Sequence, residues 1–107
     1  MVNKAQYEKI QGLIQSGIDE GAKLETGGTG LPSNLNRGFY VKPTVFSGVT
    51  RNMRIAKEEI FGPVATVITY ADLDEAIEIA NDTEYGLSAA ISGDPHKAAE
   101  IAPKLRA

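Results

Sequence analysis

Apolar side chains recur every three or four residues from Asn3 to Ala22, at Tyr7, Ile10, Leu13, Ile14, Gly17 and Ile18. Between them stand Lys4, Glu8, Lys9, Gln15 and Asp19. That period predicts one amphipathic helix. Asn3 is suited to cap its first turn, and Gly21 to end it in a left-handed conformation. A brief Lys23-Leu24-Glu25 strand follows. The run ETGGTGLPSNLNRG after it, dense in glycine, asparagine and proline, predicts loop.

The β-forming segment FYVKPTVF contains Pro43, which has no N–H to give a ladder, so an edge or interrupted strand is expected there. Asn52 to Phe61 reads as a short helical turn that must stop near Gly62, because the residue before Pro63 is pushed out of the α region. VATVITY, Val64 to Tyr70, is apolar and β-branched without alternation, the pattern of a strand covered on both faces. Asp72 is placed to cap a helix with an inward stripe of Leu73, Ala76, Ile77 and Ala80. LSAAISG, Leu87 to Gly93, reads as a further strand. Strand, helix and strand in that order predict a βαβ unit and a parallel sheet. Asp94-Pro95 opens a last helix, which Pro103 should kink or end, since proline in a helix interior costs about 3 kcal/mol. The pattern thus predicts an α/β chain with a small, mostly parallel sheet. With no repeat or composition shift, 1–107 reads as one unit.

Composition narrows the chemistry. The 107 residues are 42% hydrophobic and 23% charged, an ordinary globular mixture. A net charge of -3 without a basic cluster argues against nucleic acid and against an acidic membrane surface. There is no cysteine and one histidine, His96, so the chain has no thiolate nucleophile, disulfide or zinc centre of its own. No apolar run reaches membrane-spanning length, and the N-terminus has no apolar signal core; a cytoplasmic location is the expectation.

Three features invite a functional reading. ETGGTG is rich enough in glycine to cradle a phosphate, but a dinucleotide fingerprint needs G-x-G-x-x-G between a strand and a helix, and Leu31-Pro32-Ser33 leads into more loop. A surface loop is expected. His96 has no serine or thiol assignable to it as a nucleophile. The acids Glu58 and Glu59 stand in KEEIFGPV, where a solvated turn is the ordinary reading of two neighbouring glutamates. Glu59, however, sits between a helical turn and a sharp Gly-Pro bend, a rigid place from which to present an acceptor to a ligand. Adjacent acids on one turn do not face the same point, so no shared acid/base dyad is expected.

KEEIFGPV, followed some twenty residues later by NDTEYGLSAAI and preceded by EGAKLETGG and GFYVKPTVF, resembles the NAD(P)-dependent aldehyde dehydrogenase superfamily, in the late part of its catalytic domain. The resemblance covers nearly the whole chain. It implies a partial aldehyde-dehydrogenase-like catalytic domain whose cofactor-binding residues here are Glu59 and Phe61. The family glutamate matching Glu59 accepts hydrogen bonds from the nicotinamide ribose hydroxyls, and the residue matching Phe61 packs beside the nicotinamide. Glu58 keeps the solvated reading.

The resemblance further implies NAD or NADP and a small-molecule aldehyde as partners of the complete enzyme, which forms a carboxylic acid. In the family a cysteine attacks the aldehyde and a glutamate assists hydrolysis; neither these nor the main dinucleotide-binding strands match here. The expectation is a fragment with no catalytic and no metal-binding residues, inactive and without measurable cofactor binding by itself. The alternative is a non-catalytic module that associates through exposed sheet edges with itself, as a homo-oligomer, or with a complementary dehydrogenase piece.

Overall fold

The computed structural model describes residues 3–107, which form two compact units, 3–69 and 70–107. The first contains helix α1 (Lys4–Asp19), strands β1 (Lys23–Thr26) and β2 (Thr44–Ser47), the single-turn helix α2 (Arg54–Lys57) and strand β3 (Val64–Thr66). The second contains helices α3 (Leu73–Asn81) and α4 (Pro95–Ile101), followed by a 3-10 turn at Ala102–Lys104.

Helix α1 forms as its periodicity predicts. The Asn3 side chain accepts the Gln6 N–H at 2.9 Å, and Gly21 lies beyond the end with φ +97°. Its buried face is Ile10, Leu13, Ile14 and Gly17. Glycine belongs in that apolar face because a Cβ there would come within 2.9 Å of Ile55 Cδ1 and 3.1 Å of Phe46 Cζ. The helix packs that closely on the core, where Val41, Phe46, Val49, Met53, Ile55 and Ile60 complete the cluster. Fully burying one such side chain contributes about 1.5–3 kcal/mol.

The sheet has the order β1-β2-β3, with β1 antiparallel to β2 and β2 parallel to β3. Three expectations are corrected here. First, of the edge or interrupted strand expected around Pro43, the short interrupted strand forms, but as the central strand β2 and not at an edge. It begins one residue after Pro43, so the missing N–H falls outside the ladder, and Thr44 N–H donates to Pro63 O at 2.8 Å. Second, β3 is not covered on both faces: it has three residues, none fully buried. Third, Leu87 to Gly93 forms no strand and Leu87 is 97% exposed. A β-forming sequence becomes a strand only where a neighbour supplies N–H and C=O groups, and this segment has none in the structure. The α/β class and a βαβ connection hold, but the connection runs through β2, α2 and β3, in a three-stranded sheet that is partly parallel.

In the second unit, Asp72 caps α3 by accepting the Glu75 N–H at 2.9 Å, and Asp94 caps α4 by accepting that of Lys97 at 3.0 Å. Pro103 converts the end of α4 into the 3-10 turn, as expected. None of residues 70–107 is fully buried. The predicted stripe Leu73, Ala76, Ile77 and Ala80 instead lines one wall of an open apolar groove of about 370 Å³, with Ile91 and Ile101 opposite. Polar contacts clasp the unit: Asn81 Nδ2 donates to Lys104 O at 3.0 Å and Asn81 Oδ1 accepts the Arg106 N–H at 2.8 Å.

Candidate functional site

The bend that carries Glu59 and Phe61 is built by alternating anchorage. Ile60 is 7% exposed and belongs to the core cluster, whereas Glu59 is exposed and Phe61 is 61% exposed. One buried side chain therefore holds its two neighbours outward. Gly62 lies against α1, where a Cβ would meet Ile10 Cδ1 at 3.0 Å. Two backbone bonds close the far side: Val64 N–H to Gly62 O at 2.7 Å, and Thr44 N–H to Pro63 O at 2.8 Å.

Phe61 has φ +60°, the one non-glycine residue with positive φ among those described. For an L residue the left-handed region costs roughly 1–2 kcal/mol. A bulky residue persists there only where its surroundings over-determine it, and such outliers cluster at ligand sites. Lys9 Nζ stands 6.0 Å from the Phe61 ring centroid, at the outer limit of a cation–π contact.

The two acids are separated by their partners. Helix α2 ends at Lys57, earlier than expected, and Glu58 to Ile60 lie outside it. The Arg54 guanidinium donates to Glu58 through Nε at 2.6 Å and Nη2 at 3.3 Å. That hydrogen bonding, more than any other influence, holds Glu58 below the ordinary carboxylate value; the same pair raises Arg54. Glu58 is thus an ion-paired residue rather than simply a solvated one. The Glu59 carboxylate has no hydrogen-bonding or ionic partner among the described residues, and its acceptor capacity is free for a ligand.

The structure leaves both Glu59 and Phe61 exposed on one bend, either side of the buried Ile60. What the motif alone did not disclose was its supports. The Arg54–Glu58 pair has an i, i+4 spacing visible in the sequence. Lys9 beside Phe61, and the Glu20 carboxylate that accepts the Arg54 N–H at 3.1 Å, come from α1 and the residue that ends it, with no local signal. Two amides of the glycine-rich loop are engaged: Gly28 N–H donates to Thr44 Oγ1 at 3.1 Å and Gly30 N–H to Gln11 Oε1 at 2.7 Å. Those donors are spent inside the protein, and no helix follows them. His96 is exposed at the start of α4, and no cluster of acids and histidines suited to a metal ion occurs among the described residues. No helix among them is long and apolar enough to cross a membrane.

An exposed carboxylate and an exposed ring, on either side of a buried Ile60 in a strained and anchored bend, stand on an α/β protein with a mixed sheet. The sequence model of the aldehyde dehydrogenase family matches residues 1–107. The chain belongs to that family. The aldehyde dehydrogenase of Bartonella henselae is 55% identical, with TM-score 0.94 over 98% of this chain and 22% of its own. Aldehyde dehydrogenase C of Pseudomonas syringae, a mutant complexed with NAD+ and octanal, is 50% identical, with TM-score 0.96 over 100% of this chain and 22% of its own. A Mycobacterium tuberculosis aldehyde dehydrogenase complexed with NAD+ is 43% identical, with TM-score 0.93 over 99% and 22%. A curated putative aldehyde dehydrogenase of Staphylococcus aureus is 54% identical over 93 residues, 87% of this chain, and the chain spans 20% of that relative's length.

Proposed function

We propose that this chain carries the nicotinamide-ribose contact of an enzyme that oxidises an aldehyde to a carboxylic acid with NAD or NADP, and that it has no such activity by itself. The observation supporting the contact is the unpartnered, exposed Glu59 carboxylate next to a neighbour already committed to Arg54. A carboxylate accepts from both hydroxyls of a vicinal diol in charge-assisted bonds. Phe61 adds an apolar surface that limits the freedom of a planar ring beside it, which favours a reactive orientation. NAD, seen in the P. syringae and M. tuberculosis enzymes, supplies the hydride acceptor when bound.

The inactivity follows from composition: with no cysteine there is no thiolate to attack an aldehyde. Cofactor binding by the 107-residue chain alone falls below measurement, since one sugar contact does not offset the freedom lost on docking. The contact is therefore best tested in a chimera, with this chain replacing the matching segment of the B. henselae enzyme. Glu59→Gln removes the charge while keeping the shape. It should lower kcat/KM for NAD roughly tenfold to hundredfold, the loss expected when charge assistance to two hydroxyls disappears. An unchanged value for NAD and for NADP would refute the contact. Aldehyde-dependent NADH formation by the purified chain would refute the inactivity.

A further inference from the structure

Helix α2 delivers the chain to Glu59, yet its own sequence does not explain why it forms. It has four residues, far below the length at which helices persist unaided. Its N-cap is Met53, whose side chain caps nothing. The missing acceptor comes from the residue that ends α1, where Glu20 Oε1 accepts the Arg54 N–H at 3.1 Å and the Ser16 hydroxyl at 2.8 Å. Ser16 thereby holds the carboxylate aimed at α2. From Arg54 the chain of contacts continues to the bend. Glu58 N–H donates to Arg54 O at 2.8 Å, and the Arg54 guanidinium grips the Glu58 carboxylate, one residue before Glu59.

We propose that Glu20 is a positioning residue for the cofactor contact: it caps α2 from the C-terminal end of α1 and so fixes the direction in which Glu59, Ile60 and Phe61 leave that turn. This rests on the reading of Glu59 and Phe61 given above. Glu20 touches no ligand; it acts through Arg54 and Glu58. The Glu20 carboxylate satisfies the Arg54 N–H, one of the orphan donors of the first turn, which Met53 at the N-cap gives no side-chain acceptor.

The test is amide hydrogen exchange and NMR on the isotope-labelled 107-residue chain. In Glu20→Ala, exchange at Arg54 and Glu58 should accelerate about fivefold, the factor corresponding to loss of one helix cap. The Phe61 backbone coupling that reports positive φ should move toward a conformational average. Glu20→Gln, whose amide oxygen still accepts, should restore most of both signals, which general loss of packing would not allow. Ser16→Ala frees the same carboxylate without removing it and should give a smaller change in the same direction. Amides of Ile10 and Ile14 should stay protected in all three.

Unchanged Arg54 and Glu58 exchange in Glu20→Ala would overturn the proposal, as would equal effects of Glu20→Ala and Glu20→Gln. If Glu20→Ala exposes α1 as well, Ser16→Ala and Glu20→Gln decide by the same readouts. Failure of the cofactor reading is seen separately: Glu59→Gln would leave the chimera's kinetics unchanged while the Glu20 variants still moved the Phe61 signal.

Discussion

Thr44→Val exchanges one side-chain atom type at the centre of the first unit and leaves the volume almost unaltered. Thr44 is 1% exposed, and its hydroxyl accepts the buried Gly28 N–H at 3.1 Å while donating to Lys42 O at 2.7 Å. Valine keeps the β-branched shape that suits a strand, so the ladder and the Thr44 N–H bond to Pro63 O are undisturbed. What disappears is the partner of one buried donor, at a cost of about 1–3 kcal/mol, and one of the bonds to a part-buried carbonyl, worth about 1 kcal/mol. The extra buried methyl returns about 0.8 kcal/mol. The net is a loss of about 2 kcal/mol.

Urea unfolding followed by circular dichroism would read this as a midpoint lowered by about 1–2 M with unchanged slope. Exchange at the Gly28 amide should accelerate by more than that of the α1 amides. Thr44→Ser keeps the hydroxyl and loses the methyl, so it should cost roughly 1 kcal/mol. If Thr44→Val is as stable as the parent chain, or if Thr44→Ser is the more damaging change, the hydroxyl is not what fastens the loop to the sheet.

Two further outcomes are expected. Gly27→Ala would place its Cβ 2.4 Å from Pro43 O and Thr44 Oγ1, so it should destabilise by clearly more than Gly21→Ala, which meets nothing within 4 Å. Both residues have positive φ, and the common left-handed cost of about 1–2 kcal/mol cancels in the comparison; equal losses in denaturant would contradict the close approach. The lowered Glu58 value means that the Arg54 pair stabilises the fold above the ordinary carboxylate range and loses that contribution as pH falls through the folded-state value. The pair is solvent-exposed, so the effect should be small and weakened by salt. Stability curves of the parent and Glu58→Gln should differ near pH 7 and converge under acid; a constant gap down to about pH 2 would rule the pair out as the cause.

Where the sequence was legible, the signal was local. The Asn3 and Asp72 caps, the helix start at Asp94-Pro95, the stop at Gly21 and the break at Pro103 each depend on groups three or four residues apart, and all formed. The stripe on α3 was also readable, although in this structure it faces a groove rather than a core. Strand identity was not readable in the same way. The end of FYVKPTVF, from Thr44 on, became the central strand and LSAAISG no strand at all, although both have strand-forming composition. Ladder partners lie far away in sequence, and composition does not say whether one is present.

The candidate site divides along the same line. KEEIFGPV by itself determined that a helical turn gives way to a Gly-Pro bend with an acid beside it, because proline and glycine restrict the backbone through their own covalent geometry. Tertiary structure alone decided that Glu58 is held by Arg54 while Glu59 is left open, that Ile60 points inward, that Phe61 takes a positive φ, and that Glu20 caps α2 across 34 residues. Those outcomes depend on which surfaces meet when α1, α2 and the sheet bury their apolar faces together, and short-range chain preferences do not contain that information.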